Sequence, residues 1–320
     1  MGIDWKRRIF TFALAAPVAM YLLGTSLGTS ALATAILAGC LIEFRCNLCP
    51  PFLFHVAGVK PEAKNNVAHA VFIAILGSLV AVAATQSKQL HDAATSVAFF
   101  AVFGYHLILT SWSNASKAPS NTTLHQGIVD LFLDLLAVGY IVQCVPLRLA
   151  CNSGHSFNVA AYSGFSHAIL IRNASSFGMG LQVMTLSCSW LSDTGALVAG
   201  SLFGSTKLLP TISPGKTVAG AVGSVVFGML TVVGAMALVE AIGRSDLLPA
   251  LPLVEQVALG GVMGVLCVLG DLVESYTKRV AQVKDSGALF PGHGGCLDRM
   301  DSLLFIAPLV YHVGQFKQWQ

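Results

Sequence analysis

The sequence predicts an all-α, polytopic integral membrane protein, and three observations carry that prediction. Of its 320 residues 55% are hydrophobic and only 10% charged, the mean hydropathy is +0.73, and apolar runs near the roughly 20 residues that cross a bilayer as a helix recur along the whole chain. Backbone polar groups in hydrocarbon must be paired internally. The runs are rich in Ala, Leu, Val and Gly without the period-2 alternation of barrel strands, so helices are expected. No soluble domain, repeat or linker stands apart. One membrane-embedded domain over 1–320 is expected, with a helical membrane part at 1–180 and a catalytic part at 181–302.

By the length criterion about nine spans are expected, roughly at 9–23, 26–43, 66–85, 94–112, 127–146, 180–203, 218–241, 251–271 and 302–316. The first follows Lys6, Arg7 and Arg8, a charged inner flank rather than a signal peptide, because no small-residue cleavage site with a soluble continuation follows. The fifth carries Asp130 and Asp134 one helical turn apart. That arrangement is compatible with a proton or cation path, but a polar seam or helix end is expected. Residues 157–171 are apolar but short and broken by Gly164, Ser166 and His167, which suits a re-entrant or interfacial helix.

A cytoplasmic amino terminus puts 13 of the 18 Lys and Arg residues on one side, as the positive-inside rule requires. The loops 204–217 and 272–301 then open on the same face, where residues distant in sequence can share a site. Among eight cysteines the close pair Cys46 and Cys49 lacks the second Cys or His pair of a zinc site and reads as structural.

Chemistry concentrates at the carboxyl-terminal end. Asp271, Glu274, Asp285, Asp298 and Asp301 lie among Lys278, Arg279, Lys284 and Arg299. A carboxylate at the membrane edge is costly unless paired or ligated, and Asp298 and Asp301 share a face if that stretch is helical. With Asp271 and Asp285 these two make a dense oxygen set, which suits Mg²⁺ far better than zinc or copper. The basic residues suit phosphate oxygens, and Gly287, Gly292, Gly294 and Gly295 would let backbone N–H groups approach them. Together these features describe phosphoryl or nucleotidyl transfer. A charged loop whose acids and bases merely pair with one another is the bland alternative, and His293 reads equally as a hydrogen-bonded loop histidine, a phosphate contact or an acid.

Ser275, Lys278, Arg279, Lys284, Asp285, Gly287, Phe290, Pro291, His293, Gly294, Gly295, Asp298, Arg299 and Asp301 follow in spacing the signature of the phosphatidate cytidylyltransferases, or CDP-diacylglycerol synthases. The chain resembles that family strongly over about 190–302. Thr277 and Cys296 stand where the family has larger apolar residues. Upstream, Trp190, Asp193, Thr194 and Ala196 resemble a second family block, and Ser213, Pro214, Lys216 and Thr217 a third. There Ala219 replaces the family's Glu. Ser213 to Thr217 also imitates the end of a Walker A loop, but Pro210 stands where its first Gly is required and no βα unit surrounds it.

The resemblance implies that CTP and phosphatidate give CDP-diacylglycerol and pyrophosphate, with Mg²⁺ and a second metal ion. It implies metal ligation by Asp271 and Asp298 and a catalytic set of Asp271, Lys284, Asp285, His293, Asp298, Arg299 and Asp301. Substrate contacts are implied at Asp193, Ser213, Lys216, Thr217, Ser275, Lys278, Arg279, Gly294 and Gly295. The expected partners are CTP, phosphatidic acid and membrane lipids, with a homodimer open and nucleic acid excluded. A bacterial plasma membrane or an organellar membrane, whether plastid, mitochondrial or ER, is the expected location. Another CTP-dependent lipid enzyme, such as a polyprenol kinase or an ether-lipid cytidylyltransferase, remains open, as does an ion-coupled transporter.

Overall fold

The computed structural model describes residues 17–19, 21–58, 63–113, 121–142, 146–150, 156–160, 164–289 and 294–319, and these are overwhelmingly helical. Helix α1 (Ser26–Glu43) starts at Thr25, whose hydroxyl accepts from the Gly28 N–H at 3.0 Å, the usual device for satisfying a free helix donor. It continues through a π-helical turn (Phe44–Leu48) into α2 (Cys49–Ala57) and stops at Gly58, whose φ of 66° is left-handed. Next come α3 (Ala63–Gln86), α4 (Lys88–Ser113) and α5 (Asn121–Leu136), the last extended by a π-helical turn at Ala137–Val142. An antiparallel hairpin of β1 (Pro146–Ala150) and β2 (Ser156–Ala160) precedes the short α6 (Ser166–Ala174). The segment 157–171, expected as a short helix, is therefore part strand and part helix.

The remaining elements build the site: α7 (Gly178–Phe203), the hairpin β3 (Lys207–Leu209) and β4 (Ser213–Thr217), α8 (Val218–Ala241), α9 (Leu253–Val280) and α10 (Leu297–Phe316). Among the described residues six helical stretches are long and apolar enough to cross a membrane, at Ser26–His55, Val67–Gln86, Lys88–Leu109, His125–Val142, Val218–Ala241 and Leu253–Val280. The chain is an integral membrane protein. Of the other three expected spans, 180–203 and 302–316 coincide with the long helices α7 and α10, and 9–23 lies largely outside the described residues.

Small residues set the spacing of α7, α8 and α9. A Cβ on Gly195 of α7 would lie 2.6 Å from the Gly223 carbonyl of α8, and one on Gly260 of α9 would lie 2.6 Å from the Gly228 carbonyl of α8. Backbones that approach this closely gain van der Waals contact where lipid gives no hydrophobic drive to associate.

The amino-terminal helices are joined by charge. Arg45, on the π-helical turn, is 1% exposed and lies 2.5 Å from Asp130 and 3.5 Å from Asp134. The Asp134 Oδ2 atom meets His69 Nδ1 and His106 Nε2, each at 2.9 Å. Asp130 and Asp134 thus form the expected polar seam. The guanidinium between them supplies the positive charge that buried carboxylates require.

Candidate active site

Helix α9 outruns its apolar stretch. Its last turns carry Asp271, Glu274, Ser275 and Lys278 at spacings of three, four and seven, which places them on one face. Gly270 lets α10 close on that face, since a Cβ there would lie 2.5 Å from the Asp301 carbonyl oxygen. Asp271, Glu274 and Asp301 consequently offer carboxylate oxygens within 4.8 Å of one another, with Glu274 and Asp301 buried. Sequence reading counted Glu274 but assigned it no part in the site. Its position three residues after Asp271 was the available signal.

The 204–217 loop comes to the same place. Thr217 ends β4 and starts α8, its hydroxyl accepting from the Gly220 N–H at 3.1 Å. Beside it, Lys216 Nζ lies 2.5 Å from Asp271 Oδ2. Arg279 Nε donates to the Ile212 carbonyl at 3.1 Å and ties the hairpin to the end of α9. Ser213 to Thr217 is a strand paired with β3, a different structure from a phosphate-binding P-loop.

Between these elements lies a cavity of about 520 Å³ whose lining includes Asp193, Lys216, Thr217, Asp271, Asp298, Arg299 and Asp301. Lys284 and Asp285 are exposed on the following loop, and neither they nor Ser213, Ser275, Lys278 and Arg279 line the cavity. Ser275 Oγ donates to Asp271 at 3.5 Å. Lys278 is already held, by Glu274 and, at 2.8 Å, by Asp298. His293 lies outside the described residues, as do Phe290, Pro291 and Gly292.

Asp298 organises the loop as well as lining the cavity. Its carboxylate accepts from Lys278 Nζ at 2.8 Å, the Ser286 N–H at 3.0 Å and the Gly295 N–H at 2.8 Å. Burial works to raise this carboxyl, but hydrogen bonding with Glu274, Lys278 and Gly295 outweighs it and holds the group well below the ordinary carboxylate range. Gly294 has a φ of 87°, and a Cβ on it would lie 3.1 Å from Asp298. The backbone donor of Gly295 is therefore engaged by protein, where sequence reasoning expected it to face phosphate.

Sequence reading missed Glu43 altogether. This buried residue of α1 reaches the same loop and accepts hydrogen bonds from the N–H groups of Leu289, Cys296 and Leu297. At a separation of some 250 residues no local signal marks it. Ala219, where the family's Glu is absent, is the second residue of α8, two after Thr217. Glu240 is no substitute, since 21 residues of helix at 1.5 Å each put it about 30 Å away.

Long apolar helices that close around a cavity lined by carboxylates, a lysine and an arginine are the architecture of an integral membrane enzyme. The chain belongs to the cytidylyltransferase family, whose model matches residues 5–317. It is similar to the phosphatidate cytidylyltransferase of Bacillus subtilis (strain 168), at 37% identity over 185 residues, covering 57% of this chain and 66% of that protein. The phosphatidate cytidylyltransferase of Synechocystis sp. is 32% identical over 263 residues, covering 80% of this chain and 79% of its own length. That of Staphylococcus saprophyticus is 40% identical over 150 residues, or 47% and 54%. The chain thus spans about half to four fifths of the length of these relatives.

Proposed function

We propose that this protein transfers the cytidylyl group of CTP to phosphatidate, giving CDP-diacylglycerol and pyrophosphate. The observation that carries the reading is the cavity itself, where Lys216 and Arg299 stand among Asp193, Asp271, Asp298 and Asp301. A phosphatidate oxygen bonds to the α-phosphorus of CTP while the bond from that phosphorus to the bridging oxygen breaks, and the electron pair leaves with pyrophosphate. The attacking phosphate is already anionic, so positioning and charge neutralisation are what the protein must supply. Lys216 and Arg299 hold phosphate oxygens, and Arg279 keeps the Lys216 hairpin against α9. Lys284, exposed on the loop after α9, meets CTP or the lipid headgroup as it arrives.

The clustered oxygens fit a hard divalent cation. Asp271 and Asp298 would hold Mg²⁺, which neutralises phosphate charge when bound; Glu274 and Asp301 offer oxygens within 4.8 Å of that of Asp271, and Asp193 lines the same cavity. The ammonium of Lys216 against Asp271 supports this reading, since the carboxylates already draw a cation toward them. The whole chain acts as one membrane-embedded domain, with its catalytic part over 181–302.

The test is pyrophosphate release by purified protein in detergent micelles supplied with phosphatidate, CTP and Mg²⁺, with the lipid product weighed by mass spectrometry. Lipid-dependent pyrophosphate and a lipid heavier by CMP are expected. Release of CDP with a phosphorylated lipid would identify a kinase and refute the proposal.

A further inference from the structure

We infer that Glu43 is a positioning residue that holds 286–289 and 294–297, the two ends of the signature stretch that leads into α10, from the opposite half of the chain; the inference rests on the transfer reaction proposed above. The helix α10, which carries Asp298, Arg299 and Asp301, begins at Cys296 without a side-chain cap of its own. Its first N–H groups need an acceptor, and Glu43 is that acceptor. Glu43 Oε2 receives the Cys296 N–H at 2.6 Å and the Leu297 N–H at 3.2 Å, and Oε1 receives the Leu289 N–H at 3.3 Å. Negative charge at this end of a helix is also favoured by its dipole. One turn further along, Asn47 Nδ2 donates to the Ser286 carbonyl at 3.0 Å.

The loop is shaped to admit this carboxylate. A Cβ on Gly295 would lie 2.7 Å from Glu43 Oε2, and one on Gly287 would lie 2.6 Å from the Glu43 carboxyl carbon. These two glycines of the signature therefore have a reason apart from phosphate: a side chain at Gly287 would push the loop off Glu43, and one at Gly295 would meet Ser286 and Gly287 as well as Glu43. The anchor is itself fixed, because Arg45, two residues on, is clamped by Asp130 and Asp134. Glu43 touches no cavity-lining acid directly; it acts by setting where α10 starts, and through that the positions of Asp298, Arg299 and Asp301.

The test compares the full-length protein with Glu43→Gln, which keeps the shape and removes the charge, in two assays. Limited trypsin digestion reads loop release at the exposed Lys284, with the exposed Arg244 on the α8–α9 connection as an internal reference. Turnover reads kcat/KM for CTP. The variant should be cut after Lys284 about tenfold faster, as the loss of hydrogen bonds to a charged acceptor implies, with cutting after Arg244 unchanged and kcat/KM for CTP about tenfold lower or more. Cleavage after Lys284 at the wild-type rate, equal acceleration at both sites, or turnover within about twofold of wild type would overturn the inference. If Glu43→Gln does not accumulate, Glu43→Asp is read in the same way. Should the wild-type protein make no CMP-lipid, the transfer reading fails, while the ratio of the two cleavage rates still decides the role of Glu43.

Discussion

Replacing Lys216 with Met separates the two tasks assigned to the cavity. At 2.5 Å the Lys216–Asp271 pair has a gross attraction of about 7 kcal/mol at an effective dielectric of 20. The two side chains are 23% and 35% exposed, so screening and the cost of fixing them reduce the net value to about 1 kcal/mol. That is what a metal ion must overcome to claim Asp271. Without the lysine, the Mg²⁺ concentration for half-maximal rate should fall by about fivefold. The same lysine is proposed to hold a phosphate oxygen, and a charge-assisted hydrogen bond is worth about 1.5–3 kcal/mol. On that basis kcat/KM for CTP should drop by about 10- to 150-fold at saturating Mg²⁺. Pyrophosphate release titrated first with Mg²⁺ and then with CTP measures both. A higher Mg²⁺ requirement, or CTP kinetics within about twofold of wild type, would refute the reasoning.

Asp271→Asn should act in the opposite sense on the metal, raising half-saturation by Mg²⁺ about tenfold or more together with a loss of turnover. Gly260→Ala forces a methyl group onto the α8 backbone, and overpacking of this kind costs about 1–3 kcal/mol, so its melting point should fall by several degrees; Gly234→Ala, with open space around it, should melt at or slightly above wild type. Because Asp298 is held below the ordinary carboxylate range, its contribution to stability is complete above about pH 4 and is lost as pH falls through its folded value. Melting curves of wild type and Asp298→Asn should therefore converge as the pH falls below about 5.

Hydropathy located the helices that form the site with ends close to those observed, because composition decides which segments stay in lipid. It ended α9 at 271, whereas the helix runs to Val280. The last turns are charged, and their helical order is visible only in the spacing of Asp271, Glu274, Ser275 and Lys278. Dense acids and bases marked a stretch that reaches the cavity, but not which of its charges face it. Lys278 is held by Glu274 and Asp298, and Lys284 points to solvent, although the two look alike in sequence. The hairpin at 207–217 was expected only as a loop, since its pairing depends on a Leu209 to Ser213 contact across a turn. Glu43 and the Arg45 cluster were illegible for a common reason: their partners lie on other helices, and only the assembled fold brings them together.

The Arg45 cluster also bears on how the protein is made. Arg45 and Asp130 are 85 positions apart, on different membrane-crossing helices, so the arginine leaves the ribosome well before either aspartate. A lone charge within an inserting helix costs up to about 2.5–3.5 kcal/mol, less the nearer it lies to the helix end. The stretch Ser26–His55 therefore gains its full preference for the bilayer only when His125–Val142 arrives to neutralise it. Insertion and tertiary assembly of this half are coupled events, and a chain truncated before Asp130 should leave the Ser26–His55 stretch less committed to the membrane.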